Sequence, residues 1–319
     1  MLRSMYSGIS GLKNFQTKLD VIGNNIANVN TYGFKKGRVV FKDLISQTQA
    51  GASSPSQTRG GVNAKQIGLG SQLAAIDTIH GSGSLQSTFR DLDLAIAGDG
   101  FFMVGDANGA PDEEGVLSEE GYSNILYTRA GNFYMDRNGY LVNADGKYLV
   151  GKPSDQLSTP EDPIDGSEAD QQKADNGLAD IEGNIAEDID FSADVSPIRI
   201  PTTAQSMSIS QDGTVTYVDH NGANQYAGQL ILAKFPNAGG LQKVGANYFQ
   251  PTANSGDPYA QVGTVGGIGG IESGYVEMSN VDLSEEFTEM IVAQRGFQAN
   301  TRIITTSDEI LQELVNLKR

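Results

Sequence analysis

The hydrophobic positions of the chain fall into one long helical stripe at each end and a series of short alternating runs between them. Over residues 1–30, Leu2, Met5, Ile9, Leu12, Leu19 and Ile26 follow a three-four alternation interrupted by Gln16 and Gly23, while Phe15, Ile22 and Val29 widen the stripe. Over residues 282–319, Leu283, Phe287, Met290, Ile291, Phe297, Ile303, Ile304, Ile310, Leu311, Leu314 and Leu317 do the same. The spacing predicts an amphipathic helix at each terminus, and each apolar face needs a partner. Gly8, Gly11 and Gly23 each cost roughly 1 kcal/mol relative to Ala in a helix interior, so the first helix is marginal alone and is held by what it packs against. Asn28 to Gly33 supplies residues that end it, and Asp282-Leu283-Ser284-Glu285 fits a capping box that opens the second.

The middle of the chain has the other period. Residues 46–72 are rich in Gly, Ser, Gln and Ala without helical spacing and read as an extended linker. From residue 73 to 274 short apolar runs alternate with turn signals: Asn138-Gly139, Asp145-Gly146, Asp212-Gly213 and Asn221-Gly222 each sit between strand-like segments. Hairpin after hairpin implies a compact antiparallel sheet domain. The expected fold is therefore α+β. Residues 1–45 and 275–319 pair as a coiled-coil-like inner stalk, 46–72 link, and 73–274 form the central β-rich domain. The Gly-rich stretch from Gly263 to Gly274 returns the chain to the last helix.

Charge changes this picture in one place. Of the net −17, residues 152–196 carry thirteen Asp/Glu against two Lys, marking an acidic, proline-punctuated insertion in the β domain. A balance this acidic argues against nucleic-acid binding, and the small cluster Lys35, Lys36, Arg38 reads as a solvated face. No apolar run reaches membrane-spanning length, so no membrane insertion is expected, and the N-terminal pattern is unlike a cleaved signal peptide.

Candidate chemistry is thin. The chain has no cysteine, and its two histidines, His80 and His220, lack ligands at metal spacing. Gly98-Asp99-Gly100 and Gly266-Gly267-Ile268-Gly269 share only glycine with phosphate loops, no Gly-x-Ser-x-Gly elbow occurs, and the acidic insertion lacks calcium-loop spacing. The reading is a non-enzymatic protein without catalytic residues, metal or cofactor. The alternative to an ordinary packed core is that the terminal stripes serve assembly. Burying each apolar side chain between neighbouring copies contributes roughly 1.5–3 kcal/mol.

Several stretches also carry a family resemblance. Leu19-Asp20-Val21-Ile22-Gly23-Asn24-Asn25-Ile26-Ala27-Asn28, followed by Thr31-Tyr32-Gly33-Phe34-Lys35, resembles the N-terminal signature of bacterial flagellar rod and hook proteins. The likeness continues in residues 93–102, in Thr128-Arg129-Ala130-Gly131-Asn132-Phe133, in 274–283 with Asn280, in Met290 to Arg295 with Gln294, and in the tail 314–318. The resemblance implies an axial protein exported through the flagellar type III apparatus without a cleaved signal. It would polymerise into a tube with the paired terminal helices inside and the β domain outside. Its partners would be itself, the rod, the hook–filament junction and the hook cap. Within the family the Asn-rich motif and the ending Leu-Val-Asn-Leu-Lys-Arg are more similar to hook protein, implying a flexible torque-transmitting joint. The distal rod, a stiff shaft, is the first alternative, and a secreted β-domain adhesin the second.

Overall fold

A computed structural model describes residues 2–55, 58–107, 122–153 and 195–317. It divides into two compact units, residues 1–29, 35–79 and 281–319 in the first, and 30–34 with 80–280 in the second.

The first unit holds both long helices, α1 (Leu2–Ala27) and α2 (Leu283–Asn316). Asn28 ends α1: its Nδ2 donates to the Asn24 carbonyl at 2.9 Å and to Asn24 Oδ1 at 3.0 Å, satisfying acceptors of the last turn. Asp282 opens α2 by accepting from the backbone N–H groups of Ser284 at 2.8 Å and Glu285 at 3.4 Å. Glu285, the expected second arm of a capping box, instead accepts from Lys36 Nζ at 2.8 Å. Lys318 and Arg319 lie outside the described residues.

The stretch read as a linker is paired. Strand β1 (Gly37–Asp43) runs antiparallel to β4 (Ser71–Thr78), and β2 (Ser46–Ala50) to β3 (Lys65–Gly68), with the bridge Ser53 to Val62 beyond them. Leu44 N donates to the Gly70 carbonyl at 2.8 Å, so the four strands form one long hairpin with bulges at Val40/Phe41 and Thr48/Ala50. Every residue of β2 and β3 is exposed. With both faces in water, no apolar alternation marks these strands in the sequence. The base of the hairpin lies along α1, where Asn14 Nδ2 donates to Ser71 Oγ at 2.8 Å.

The second unit is antiparallel β throughout its described residues. Its first strands are β5 (Leu85–Ser87), β6 (Leu94–Ala97), β7 (Phe101–Ala107), β8 (Tyr122–Thr128), β9 (Tyr134–Met135), β10 (Leu141–Val142) and β11 (Tyr148–Pro153). Then come β12 (Ser196–Pro197), β13 (Ser206–Ile209), β14 (Thr214–Val218), β15 (Asn224–Leu230), β16 (Leu232–Lys234) and β17 (Gln242–Gly245). The last are β18 (Tyr248–Gln250), β19 (Tyr259–Gln261), β20 (Gly270–Ser273) and β21 (Tyr275–Glu277). The main sheet runs β13-β14-β15-β11-β7-β8-β18-β17, while β20 pairs with β6 and β21 with β5.

Each of the four turn signals joins sequential strands, with glycine at positive φ: Gly139, Gly146, Gly213 and Gly222. Strand β7 is buried on both faces. Phe102 and Val104 enter a core with Leu94, Ile96 and Phe133, and Phe101 and Met103 enter a second with Tyr127, Phe235 and Phe249. That double burial is why Phe101-Phe102-Met103-Val104 reads as an unbroken apolar run. His80 packs its ring 5.6 Å from Phe101 and 5.3 Å from Phe249, at the edge of the second core. Of the acidic insertion at 152–196, residues 154–194 lie outside the described residues; at its ends Gly151 pairs with Ser196 and Val150 with Pro197.

Candidate functional site

The terminal helices lie antiparallel in the first unit. Ascending α1, Gly8 faces Ile304, Gly11 faces Asn300, Phe15 faces Gly296, and Asn25 Nδ2 donates to Glu286 Oε2 at 3.2 Å. Lys18 Nζ lies 3.1 Å from Glu289 Oε2 along the same seam. On α1 the inward line is Met5, Gly8, Leu12, Phe15, Leu19, Ile22 and Asn25 with Ile26, all buried or half-buried. Ile9, expected on that line, is 45% exposed, and nothing is described of the Leu2 side chain. Of the positions that seemed to widen the stripe, Phe15 meets α2 at Gly296 and Ile22 is buried.

On α2 the inward line is Glu286, Met290, Ala293, Gly296, Asn300, Ile304, Ser307 and Leu311. Only Met290, Ile304 and Leu311 of the candidate residues belong to it. Leu283, Phe287, Phe297 and Leu314 are exposed, as are Ile291, Val292, Ile303, Ile310 and Val315. The helix therefore turns small and polar side chains toward α1 and most of its bulky apolar ones away, opposite to the orientation that burial within one chain favours. Sequence periodicity cannot separate these faces, because the apolar stripe wraps more than half the helix.

Asn25, 1% exposed, ties three segments together. Beside its bond to Glu286, its Nδ2 donates to the Gly37 carbonyl at 2.9 Å and its Oδ1 accepts from Gly37 N at 2.9 Å. The start of β1 is thereby fixed to both helices. Burial raises the Glu286 carboxyl above its ordinary value, opposed by the Asn25 hydrogen bond and by the Lys36 charge. Asn24 caps its own helix end through Asn28, while Gln294 and Arg295 lie on the exposed face of α2.

The remaining motif residues gather in the second unit. Gly33 N donates to the Glu277 carbonyl at 2.8 Å, and a Cβ on Gly33 would lie 2.6 Å from the backbone of Arg129 and Ala130, so no larger residue fits. Phe34 is buried beneath Lys243, whose Nζ is 4.9 Å from the ring centroid, and Asn280 Nδ2 donates to the Gly81 carbonyl at 3.2 Å. Arg129, 3% exposed, donates from Nη1 to Glu277 Oε2 and the Ile96 carbonyl at 3.2 Å each, and from Nη2 to the Gly98 carbonyl at 2.5 Å. Glu277 Oε1 accepts from Gly83 N at 2.7 Å. Burial lowers the Arg129 pKa, resisted by the Glu277 and Asp99 charges. The pair staples β6, β8 and β21 together, a role that no spacing in the sequence announces. Among the described residues no group of three or more His, Cys, Asp or Glu is placed to hold a metal.

These features define a structural subunit: a β unit knitted by buried polar staples, and a helix pair that leaves many apolar side chains of α2 exposed. The family described as "Flagella basal body rod protein" matches residues 5–35, "Flagellar hook protein FlgE/F/G D1 domain" matches 95–217, and "Flagellar basal body rod FlgEFG protein C-terminal" matches 272–317. The "Flagellar basal-body rod protein FlgG" of Bacillus subtilis is 51% identical over 321 aligned positions, covering 100% of both chains. The "Flagellar hook protein FlgE" of Borreliella burgdorferi is 33% identical over 459 positions, again covering 100% of both. The FlgG of Buchnera aphidicola from Acyrthosiphon pisum is 33% identical over 99% of this chain and 100% of its own. The chain belongs to the flagellar rod and hook protein family and is an axial structural protein of the bacterial motility apparatus, where it assembles with other flagellar components.

Proposed function

We propose that the chain is the subunit of the distal rod, a straight tubular shaft that carries torque outward from the motor. One observation carries this reading. The identity to a basal-body rod protein is 51% over 321 aligned positions, whereas that to a hook protein is 33% over an alignment that stretches to 459. The rod reading therefore replaces the hook as the first choice, and the secreted-adhesin alternative finds no support among these relatives.

In this reading the terminal helices form a coiled-coil-like stalk that lines the tube. The apolar residues that α2 leaves exposed, including Phe287, Ile291 and Leu314, are then covered by neighbouring copies. The chain travels through the flagellar type III apparatus before assembly, and its neighbours are its own copies, the rod and the hook. Immunogold labelling of isolated hook–basal bodies tests the assignment. Gold on the straight segment below the hook supports it, and gold along the curved segment returns the chain to the hook.

A further inference from the structure

The helix pair poses a question that burial alone does not answer. Turning α2 about its axis would bring Phe287 and Ile291 against α1, yet the seam uses Glu286, Ala293, Gly296, Asn300 and Ser307. Its contacts are matched by size. A Cβ on Gly296 would lie 2.5 Å from Phe15 Cζ, and one on Gly11 would lie 2.9 Å from Asn300 Oδ1. Each glycine costs its helix roughly 1 kcal/mol relative to Ala, a cost explained by the large side chain it admits opposite. At the end of the seam the polar match of Asn25 with Glu286 is buried, whereas that of Lys18 with Glu289 is partly exposed.

This arrangement does not repeat along the helices. Sliding α2 by seven residues moves it about 10.5 Å at 1.5 Å per residue. Phe15 then meets Ile303 or Glu289 in place of its notch, and Glu286 loses Asn25. A single buried polar match is a known means of fixing helix register. We propose that Phe15 seated over Gly296 and Asn25 bonded to Glu286 are register-determining contacts, which hold α1 and α2 in one antiparallel alignment. They thereby fix where the outward apolar residues of α2 stand along α1, so that every copy offers neighbours the same surface. That last consequence rests on the assembly reading above, whereas the register itself belongs to the single chain.

Because the chain contains no cysteine, introduced pairs report the alignment directly. Gly8→Cys with Ile304→Cys reads the observed register, since a Cβ on Gly8 lies 3.4 Å from Ile304 Cγ1. Gly8→Cys with Leu311→Cys reads a slip of seven residues. In the otherwise unchanged monomer the first pair should oxidise at least tenfold more than the second. With Gly296→Leu and Asn25→Ala added, the two should become comparable. An unchanged preference in that background, or equal oxidation in the parent, overturns the proposal. Should the altered background give neither crosslink, the swap Phe15→Gly with Gly296→Phe decides: return of the first crosslink supports size matching, and its absence contradicts it. Tubes that form equally well once the crosslink preference is lost would instead count against the assembly reading and leave the register intact.

Discussion

Arg129 and Glu277 show at the scale of single residues how the family motifs work. Each is almost wholly withdrawn from water, and each carries bonds from backbone groups on other strands as well as from its partner. Removing one member leaves the other charged and buried, so Arg129→Ala should destabilise the β unit by about 3–5 kcal/mol, read as a lowered urea midpoint. Replacing both with apolar residues of similar volume should cost less than the single change. Tyr127 and Tyr226 give a second handle. Burial pushes both hydroxyls up to about 12 from the ordinary 10.0. The unfolded chain releases these protons first, so stability holds below pH 10 and falls as pH rises toward 12. The share of tyrosinate absorbance that Tyr127→Phe and Tyr226→Phe remove should therefore appear together with loss of near-UV dichroism; its appearance while the protein is still folded would contradict the burial.

At the scale of elements, the helix pair has its own pH dependence. The Glu286 carboxyl is raised by burial, so the folded chain holds this proton to higher pH than the unfolded chain does. Its contribution favours folding below the ordinary value of 4.5 and is lost as pH rises through the raised value. Glu286→Gln keeps an acceptor for Asn25 and removes the charge. It should flatten the helix-pair melting profile above pH 4.5 and change neutral stability by no more than about 1 kcal/mol. A profile as steep as the parent's would mean that Glu286 is not the titrating group.

What could be read in the sequence divides along the same elements. Both helices, the antiparallel sheet and its four glycine turns were legible because each has a local signature of period or turn chemistry. The hairpin of β2 and β3 was not, since strands exposed on both faces carry no alternation. Nor was the rotation of α2, because its stripe is wide enough to allow two faces and the choice is made by Gly296 and Asn25, residues that look like helix defects in isolation. Arg129 and Glu277 sit 148 positions apart, and only the topology that brings β8 beside β21 makes them partners.

For the whole molecule, the uncovered face of α2 and the β unit should separate cleanly under mutation. Phe287→Asp or Leu314→Asp places a charge on a residue already 49% or 48% exposed in the single chain, so melting of the β unit should be unchanged. Tube formation, followed by light scattering, should be lost. A coupled fall in β-unit stability would mean that these side chains serve the fold rather than assembly. The most direct test of the account is a cryo-electron microscopic reconstruction of the tube built from this chain. The account predicts a straight tube with Phe287, Ile291 and Leu314 buried between copies; a curved tube, or one in which those side chains still face water, would contradict it.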